Sequence, residues 1–344
     1  MPMSLALSPT DPTALFAATK TLGVVSVRLG PGGKPTVAGS AWAGADHGPS
    51  HIAVHGSGRW LCVANCTAKS DPGVAILPIG AHGIASSPVC VAPHPWAEVW
   101  STDPRHRQSK PNPHGCCWDP NQQFLHCADL GLNAIVSYQF DTKSGQLSRV
   151  SGSVLHDGAG PRHLEVSADS RRLYTINECD STVSAFAYDF TTGGTRHLLT
   201  LPSVPPEWLQ ERRELGLEMG YASEIAVSAD SRFVYCSNRG HDSIAIFSTD
   251  ADAAGCADAA LSFVTTVPSG GAVPWGFSLA QGGTLLVAQN QYAKSPEEGE
   301  GHISSLGGSG NLVVFRRDQR SGLLEPTGTV VSDLDMSIGV VAKL

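Results

Sequence analysis

The chain has 344 residues, of which only 16% are charged, and carries a formal net charge of −8 with an isoelectric point near 5.9. That acidic balance excludes the broad basic face of a nucleic-acid binder, and no run approaches the ~18 apolar residues of a membrane span. The 37 glycines and 23 prolines punctuate short apolar runs, the composition of a turn-rich, strand-rich protein long enough for a sizeable core.

In chain order, the opening "MPMSLALSPTDP" has neither a basic stretch nor a long apolar one, so no secretory leader is read and a cytoplasmic location is expected. A weak first unit, "PMSLALSPTDPTALFAAT", starts at Pro2 and ends in "GVVSVRLG". It is matched by "PSHIAVHGSGRWLCVANC" from Pro49, followed by "GVAILPIG". Longer copies follow: "PHGCCWDPNQQFLHCADLGLNAIVSYQFD" from Pro113, "PRHLEVSADSRRLYTINECDSTVSAFAYD" from Pro161 and "ASEIAVSADSRFVYCSNRGHDSIAIFSTD" from Ala222. The last, "PWGFSLAQGGTLLVAQNQ" from Pro274, resumes after an insertion with "GNLVVFRRD". The starts at 2, 49, 113, 161, 222 and 274 lie 47, 64, 48, 61 and 52 residues apart.

Each unit predicts three strands and a further apolar stretch, such as "LSRVSGSV" or "LSFVTTVP", with a tight Asp/Gly/Ser turn joining the first two. Four antiparallel strands per unit, repeated six times, predict an all-β fold: a β-propeller of four-stranded blades, with residues 1–344 forming a single domain. Three longer segments interrupt the rhythm: "HPWAEVWSTDPRHRQSKPNPH", "PPEWLQERRELGLEMGY", which has room for one or two helical turns, and "QYAKSPEEGEGHISSLGGSG". The repeat resumes after each, so none marks a domain boundary. Cysteines stand at 62, 66, 90, 116, 117, 127, 179, 236 and 256, an odd count without Cys-x-x-Cys. They read as free thiols of a reducing compartment, and the 62/66 pair lacks further ligands at zinc spacing.

In an antiparallel hairpin the start of the first strand lies beside the end of the second. Arg162 and His163 start strand one of their unit, while Asn177 and Glu178 end strand two. Propeller symmetry carries equivalent positions to the same face: Ser50, His114, Ser223 and Trp275 with Arg162, and His51, Gly115, Glu224 and Gly276 with His163. Asn65, Asp129, Asn238 and Asn290 match Asn177; Cys66, Leu130, Arg239 and Gln291 match Glu178. A carboxylate, two guanidiniums and imidazoles gathered on one face suit an anionic, oxygen-rich small molecule. Asn65 and Asn290 fit a purely structural duty, hydrogen-bonding turn backbone.

At these residues the sequence resembles the propeller lactonases, a family that includes bacterial 6-phosphogluconolactonase and fungal carboxy-cis,cis-muconate cyclase. The motifs are "NPHGCCWDP", "ADLGLNAIVSYQFD", "GPRHLEVSADSRRLYTINECDSTVSAFAYD" and "ASEIAVSADSRFVYCSNRGHDSIAIFSTD". The resemblance implies catalytic roles for His114, Arg162, Glu178 and Arg239, with Glu224 in the family's "A-x-E-I". It further implies hydrolysis of a sugar-acid lactone, 6-phosphoglucono-1,5-lactone of the pentose phosphate pathway being the first candidate. Glu178 is then the expected general base with His114 as its alternative, Arg162 and Arg239 bind oxyanion or phosphate, and His163, Asn177, Glu224 and Asn238 hold sugar hydroxyls. A lactone is already activated, so neither a metal nor an organic cofactor is expected. The competing readings are the family's lactonizing cycloisomerase chemistry and a non-catalytic propeller scaffold. Family propellers have seven blades, whereas six units are countable here, and the C-terminal "SIGVVAKL" resembles the closing strand. That segment is expected to pair with the unit starting near Pro2, or to cover its face.

Overall fold

The tight turns set the blades. Ser167–Arg172 and its counterparts turn the chain through one repeated hydrogen bond: Ser170 N–H to the Ser167 carbonyl, Ser231 to Ser228, Gln122 to Asp119 and Gly58 to His55, all at 2.8–2.9 Å. The donor residue sits in the left-handed region each time, with φ of 55° at Ser170, 59° at Ser231 and Gln122, and 67° at Gly58. Short polar residues and glycine tolerate that corner. Beside it, Ser167 Oγ and Arg171 N both donate to Asp169 Oδ1.

A computed structural model describes residues 2–19, 21–42, 48–66, 72–81, 83–101, 107–216, 221–249, 261–293 and 309–334. Among these, six antiparallel sheets follow one another along the chain, each with its strands paired in sequence order. Blade 1 spans residues 2–41, blade 2 residues 49–93, blade 3 residues 113–154, blade 4 residues 161–202, blade 5 residues 221–268 and blade 6 residues 272–334. Blade 2 departs slightly: its fourth place is shared by Gly83–Ile84 and Cys90–Pro93, both paired with Gly73–Gly80. The expected all-β propeller of four-stranded blades is what the chain forms. "SIGVVAKL", the expected closing strand, lies outside the described residues.

Apolar side chains fill the spaces between successive blades, which is where a propeller's core must be. Ile76 of blade 2 meets Leu125, Tyr138 and Phe140 of blade 3; Ile135 meets Leu164, Leu173 and Phe186; Tyr174 and Ile176 meet Val234 and Phe247. Phe233, Tyr235 and Ile246 pack on Phe277 and Phe315. The second strands Trp60–Asn65, Phe124–Asp129 and Phe233–Arg239 are buried throughout because they have a blade on either face. The segment before blade 5 forms the anticipated short helix, Pro206–Glu214, which buries Leu209. No described helix is long and apolar enough to cross a membrane. Every described cysteine is a free thiol.

Candidate active site

Chain direction decides which end of the ring carries the chemistry. Pro49 faces Asn65, Pro113 faces Asp129, Pro161 faces Asn177 and Pro274 faces Asn290, so starts of first strands and ends of second strands share one rim. Just inside that rim every blade slips register: at Pro2/Ser4, Pro49/His51, Pro113/Gly115, Pro161/His163, Ala222/Ile225 and Pro274/Gly276. Such bulges leave a residue unpaired and re-aim its side chain, a feature common beside active sites. The re-aimed residues include Ser50, His114, Arg162, Ser223 and Trp275, and they reach from blade to blade. Ser50 Oγ donates to the His114 carbonyl at 2.9 Å, an Arg162 terminal nitrogen to the Ser223 carbonyl at 2.7 Å, and Ser223 Oγ to the Trp275 carbonyl at 2.6 Å. Between blades 3 and 4 the approach is closer still, since a Cβ on Gly115 would lie 2.6 Å from the Arg162 carbonyl.

Glu178 is the centre of this rim. Its backbone N–H donates to the carbonyl of Gly160, which takes a φ of 64°. Its carboxylate is held by three guanidiniums: Arg107 at 2.8 Å and Arg239 at 2.9 Å on Oε1, and Arg162 Nε at 3.1 Å from Oε2. The last is an ion pair without hydrogen-bond alignment, because neither atom finds a bonded partner. Arg162 and Arg239 are buried, at 3% and 6% exposure, whereas the Arg107 side chain is 49% exposed. Arg239 Nε donates to the Tyr221 carbonyl at 2.7 Å. Both buried guanidiniums also lie over the Trp275 indole, 5.6 and 4.3 Å from its centroid, a cation–π contact that keeps them in place.

Three positive charges against one negative leave the cluster around Glu178 with an excess of positive charge. Burial works to raise the Glu178 pKa, but Arg239, Arg162, Arg107 and His114 outweigh it and hold the carboxyl well below its usual range. Burial brings Arg162 down to about 10 and lowers Arg239 as well. Desolvation, then the charges of Arg162 and His163, push His114 well below the usual imidazole value. Although His114 keeps some exposure, its Nδ1 is buried and without a hydrogen-bond partner. Burial likewise takes His163 to about 4, against the pull of Glu224. His163 Nδ1 lies 2.9 Å from Glu224 Oε1, and an ionised carboxylate only accepts, so Nδ1 carries the proton. Nε2 is then free to accept from Arg162 at 3.3 Å. Both imidazoles are neutral at neutral pH.

The predicted residues divide into two groups. His114, Arg162, Glu178 and Arg239 converge on the rim, with His163 directly beneath. Glu224 bonds to His163 and also lines a cavity of about 590 Å³ at the opposite mouth of the channel, among the turns that join first and second strands. Asn177 and Asn238 are fully buried and engaged within the scaffold. Asn177 donates to Thr182 Oγ1 and Ser184 Oγ, while Asn238 exchanges hydrogen bonds with Ser203. Asn290 has the same duty toward the Ser269 carbonyl and Asn311, as expected.

The sequence reading missed Arg107. It arrives on the insertion between blades 2 and 3, anchored by fully buried Gln108, whose amide donates to the Leu130 carbonyl and Asn133 Oδ1. The same insertion is fastened at each end to Asp129, through His94 Nδ1 at 2.5 Å and the Asn112 N–H at 2.8 Å. The only available signal was the basic run "RHR" shortly before "NPHG".

The chain and its fold have known counterparts. The family model described as lactonase, 7-bladed β-propeller, matches residues 1–334. The chain belongs to that family. Bacillus subtilis 6-phosphogluconolactonase is 28% identical over 284 residues, covering 83% of this chain and 70% of that protein. Among solved structures, the Pseudomonas aeruginosa periplasmic gluconolactonase superposes with a TM-score of 0.76 at 28% identity, covering 97% of this chain and 86% of that one. A Lactobacillus plantarum protein superposes equally well, with a TM-score of 0.76 over 97% of this chain and 85% of that one, and at 23% identity it attests the fold alone. Where the family model has seven blades, the described residues here build six.

Proposed function

We propose that the protein hydrolyses the lactone of an anionic sugar acid, with 6-phosphoglucono-1,5-lactone as the first substrate to test. The observation that carries this reading is the excess of guanidinium over carboxylate beside an unpartnered, neutral imidazole, on a propeller of the lactonase family. Arg239, Arg162 and Arg107 match a phosphate or a developing oxyanion with planar, two-pronged donors. Glu178, held far below its usual pKa, is a poor proton acceptor and serves to fix the guanidiniums. The base role goes to His114. An anion laid among the arginines offsets the Arg162 charge that depresses His114 and so raises its basicity as substrate binds.

In the reaction, a water oxygen attacks the lactone carbonyl carbon while its proton passes to His114. The tetrahedral oxyanion is stabilised by a guanidinium. Collapse breaks the bond from the carbonyl carbon to the ring oxygen, which takes the proton back from His114. The products are a hydroxyl and a carboxylic acid, which loses its remaining proton to solvent to become the carboxylate.

A second reading is favoured by the same charge excess: the arginines equally suit the carboxylates of an unsaturated diacid undergoing lactonizing cycloisomerisation. A panel distinguishes them: 6-phosphogluconolactone, unphosphorylated gluconolactone and carboxy-cis,cis-muconate, with spontaneous lactone opening subtracted. Acid release from the phosphorylated lactone well above background, and faster than from the neutral one, supports the proposal. Turnover of the muconate alone overturns it in favour of the cyclase reading, and no turnover of any compound favours a binding scaffold.

A further inference from the structure

The cavity at the opposite mouth of the channel contains chemistry that the rim does not use. Its lining includes His51, Cys116, Cys117 and Glu224. Cys116 stands on the first strand of blade 3, and its Sγ lies 3.5 Å from His51 Nδ1 of blade 2. The Cys116 backbone N–H donates to that same Nδ1, which is therefore the unprotonated ring nitrogen, placed to receive the thiol proton. Cys62, on the second strand of blade 2, is buried with Cys116 in the same apolar cluster between blades 2 and 3. The Cys62 S–H, against burial and with help from His51, lowers the Cys116 pKa, whereas burial pushes Cys62, Cys127 and Cys236 well above the usual thiol value. Among these four buried thiols, the one that favours thiolate is the one that lines the cavity.

We propose that Cys116 is a hydroperoxide-reactive thiol entered from this second mouth, and that Cys62 is its resolving partner. The thiolate sulfur attacks the peroxide O–O bond, giving the Cys116 sulfenic acid, while the other oxygen leaves as hydroxide or alkoxide and is protonated. Cys62 sulfur then attacks the sulfenic sulfur, its proton passing to His51 and on to the departing hydroxyl, which leaves as water. Two thiols are oxidised to one disulfide and the hydroperoxide is reduced to water or an alcohol with water. The bridge would join blade 2 to blade 3 two residues from His114.

The test is peptide mapping of the folded, fully reduced protein after brief exposure to dilute hydrogen peroxide, then acid quench, unfolding and alkylation. The expected result is a Cys62–Cys116 linked peptide, formed about tenfold or more faster than any modification of Cys236. In Cys62→Ser the reaction stops at a Cys116 sulfenic acid that dimedone traps, and in Cys116→Ala Cys62 stays reduced. The proposal is overturned if Cys62 and Cys116 are both recovered alkylated, or if Cys117 or Cys127 takes the oxidation first. The mapping of the unsubstituted protein decides the matter even where a variant folds poorly.

Discussion

Glu178→Gln removes the one negative charge among Arg107, Arg162 and Arg239 while keeping the side-chain shape. Taking away one partner of a buried ion pair costs roughly 3–5 kcal/mol, because the other charge is left uncompensated. Only Arg162 and Arg239 count toward that figure, at 3.1 and 2.9 Å and nearly full burial. The Arg107 contact involves a guanidinium 49% exposed, and solvent screening leaves it little weight. Unfolding entropy of about 2.1 cal/mol/K per residue amounts to ~0.7 kcal/mol/K over this chain, so the melting temperature should fall by about 4–7 °C. The stranded guanidiniums then bind inorganic phosphate more tightly than the parent does, and phosphate should restore most of the loss. Thermal melts in a non-coordinating buffer, with and without phosphate, measure both effects. A melting temperature within about 1 °C of the parent, or equal phosphate shifts in the two proteins, would refute the reasoning. The pH dependence has a definite sign: a carboxyl depressed on folding stabilises fully above its unfolded pKa of about 4.3, and the advantage is lost as pH falls through the lower folded value. The gap between parent and variant should therefore close only in acid.

His114→Gln should lower lactone turnover by about 10²–10⁴ with little change in KM, measured as acid release; activity within about threefold of the parent would return the base role to Glu178. Arg239→Lys keeps the charge and loses the fork, so the phosphorylated lactone should suffer more than the neutral one; equal losses would assign Arg239 to the oxyanion or to the scaffold. Arg107→Ala should cut kcat/KM for the phosphorylated lactone about tenfold and leave the melting temperature nearly unchanged. Because Arg107 is one of the charges holding His114 down, its removal raises the imidazole pKa, and the acid limb of the kcat/KM profile should move to higher pH. An unmoved limb would separate Arg107 from the base.

The blades were legible because their information is local. "SADSR" and "NQQ" dictate a left-handed corner at a fixed place, and alternation does the rest. Pairing rules then carried Arg162, Glu178, Arg239 and His114 to one rim without any knowledge of side-chain contacts. The bulges were not legible, since a slip of one residue leaves no mark on the apolar pattern of "PRHLEV" or "PHGCCW". They are also what turns Arg162 toward Ser223 and Trp275 rather than along its own blade. Arg107 was hidden for another reason: its position depends on Gln108, His94 and Asp129 fastening an insertion, contacts made between residues far apart in sequence. Nor does the sequence show that the side chains of Asn177 and Asn238, recurrent polar residues at this rim, bond to Thr182, Ser184 and Ser203 of the scaffold.

The packed imidazoles beneath the rim bear on traffic through the molecule. The His51 and His114 rings pack at a tilt against His163, with centroids 4.7 and 5.3 Å away, and Glu224 holds the Nδ1 side of His163. In the proposed lactonase reaction the arginine-lined rim is the door for both arrival and departure. Ring opening creates a carboxylate, so the product leaves that door with one more negative charge than the substrate brought in. It has to part from the same arginines that drew the substrate inward. Release should then be the step most sensitive to ionic strength, with added salt hastening exit even as it slows entry.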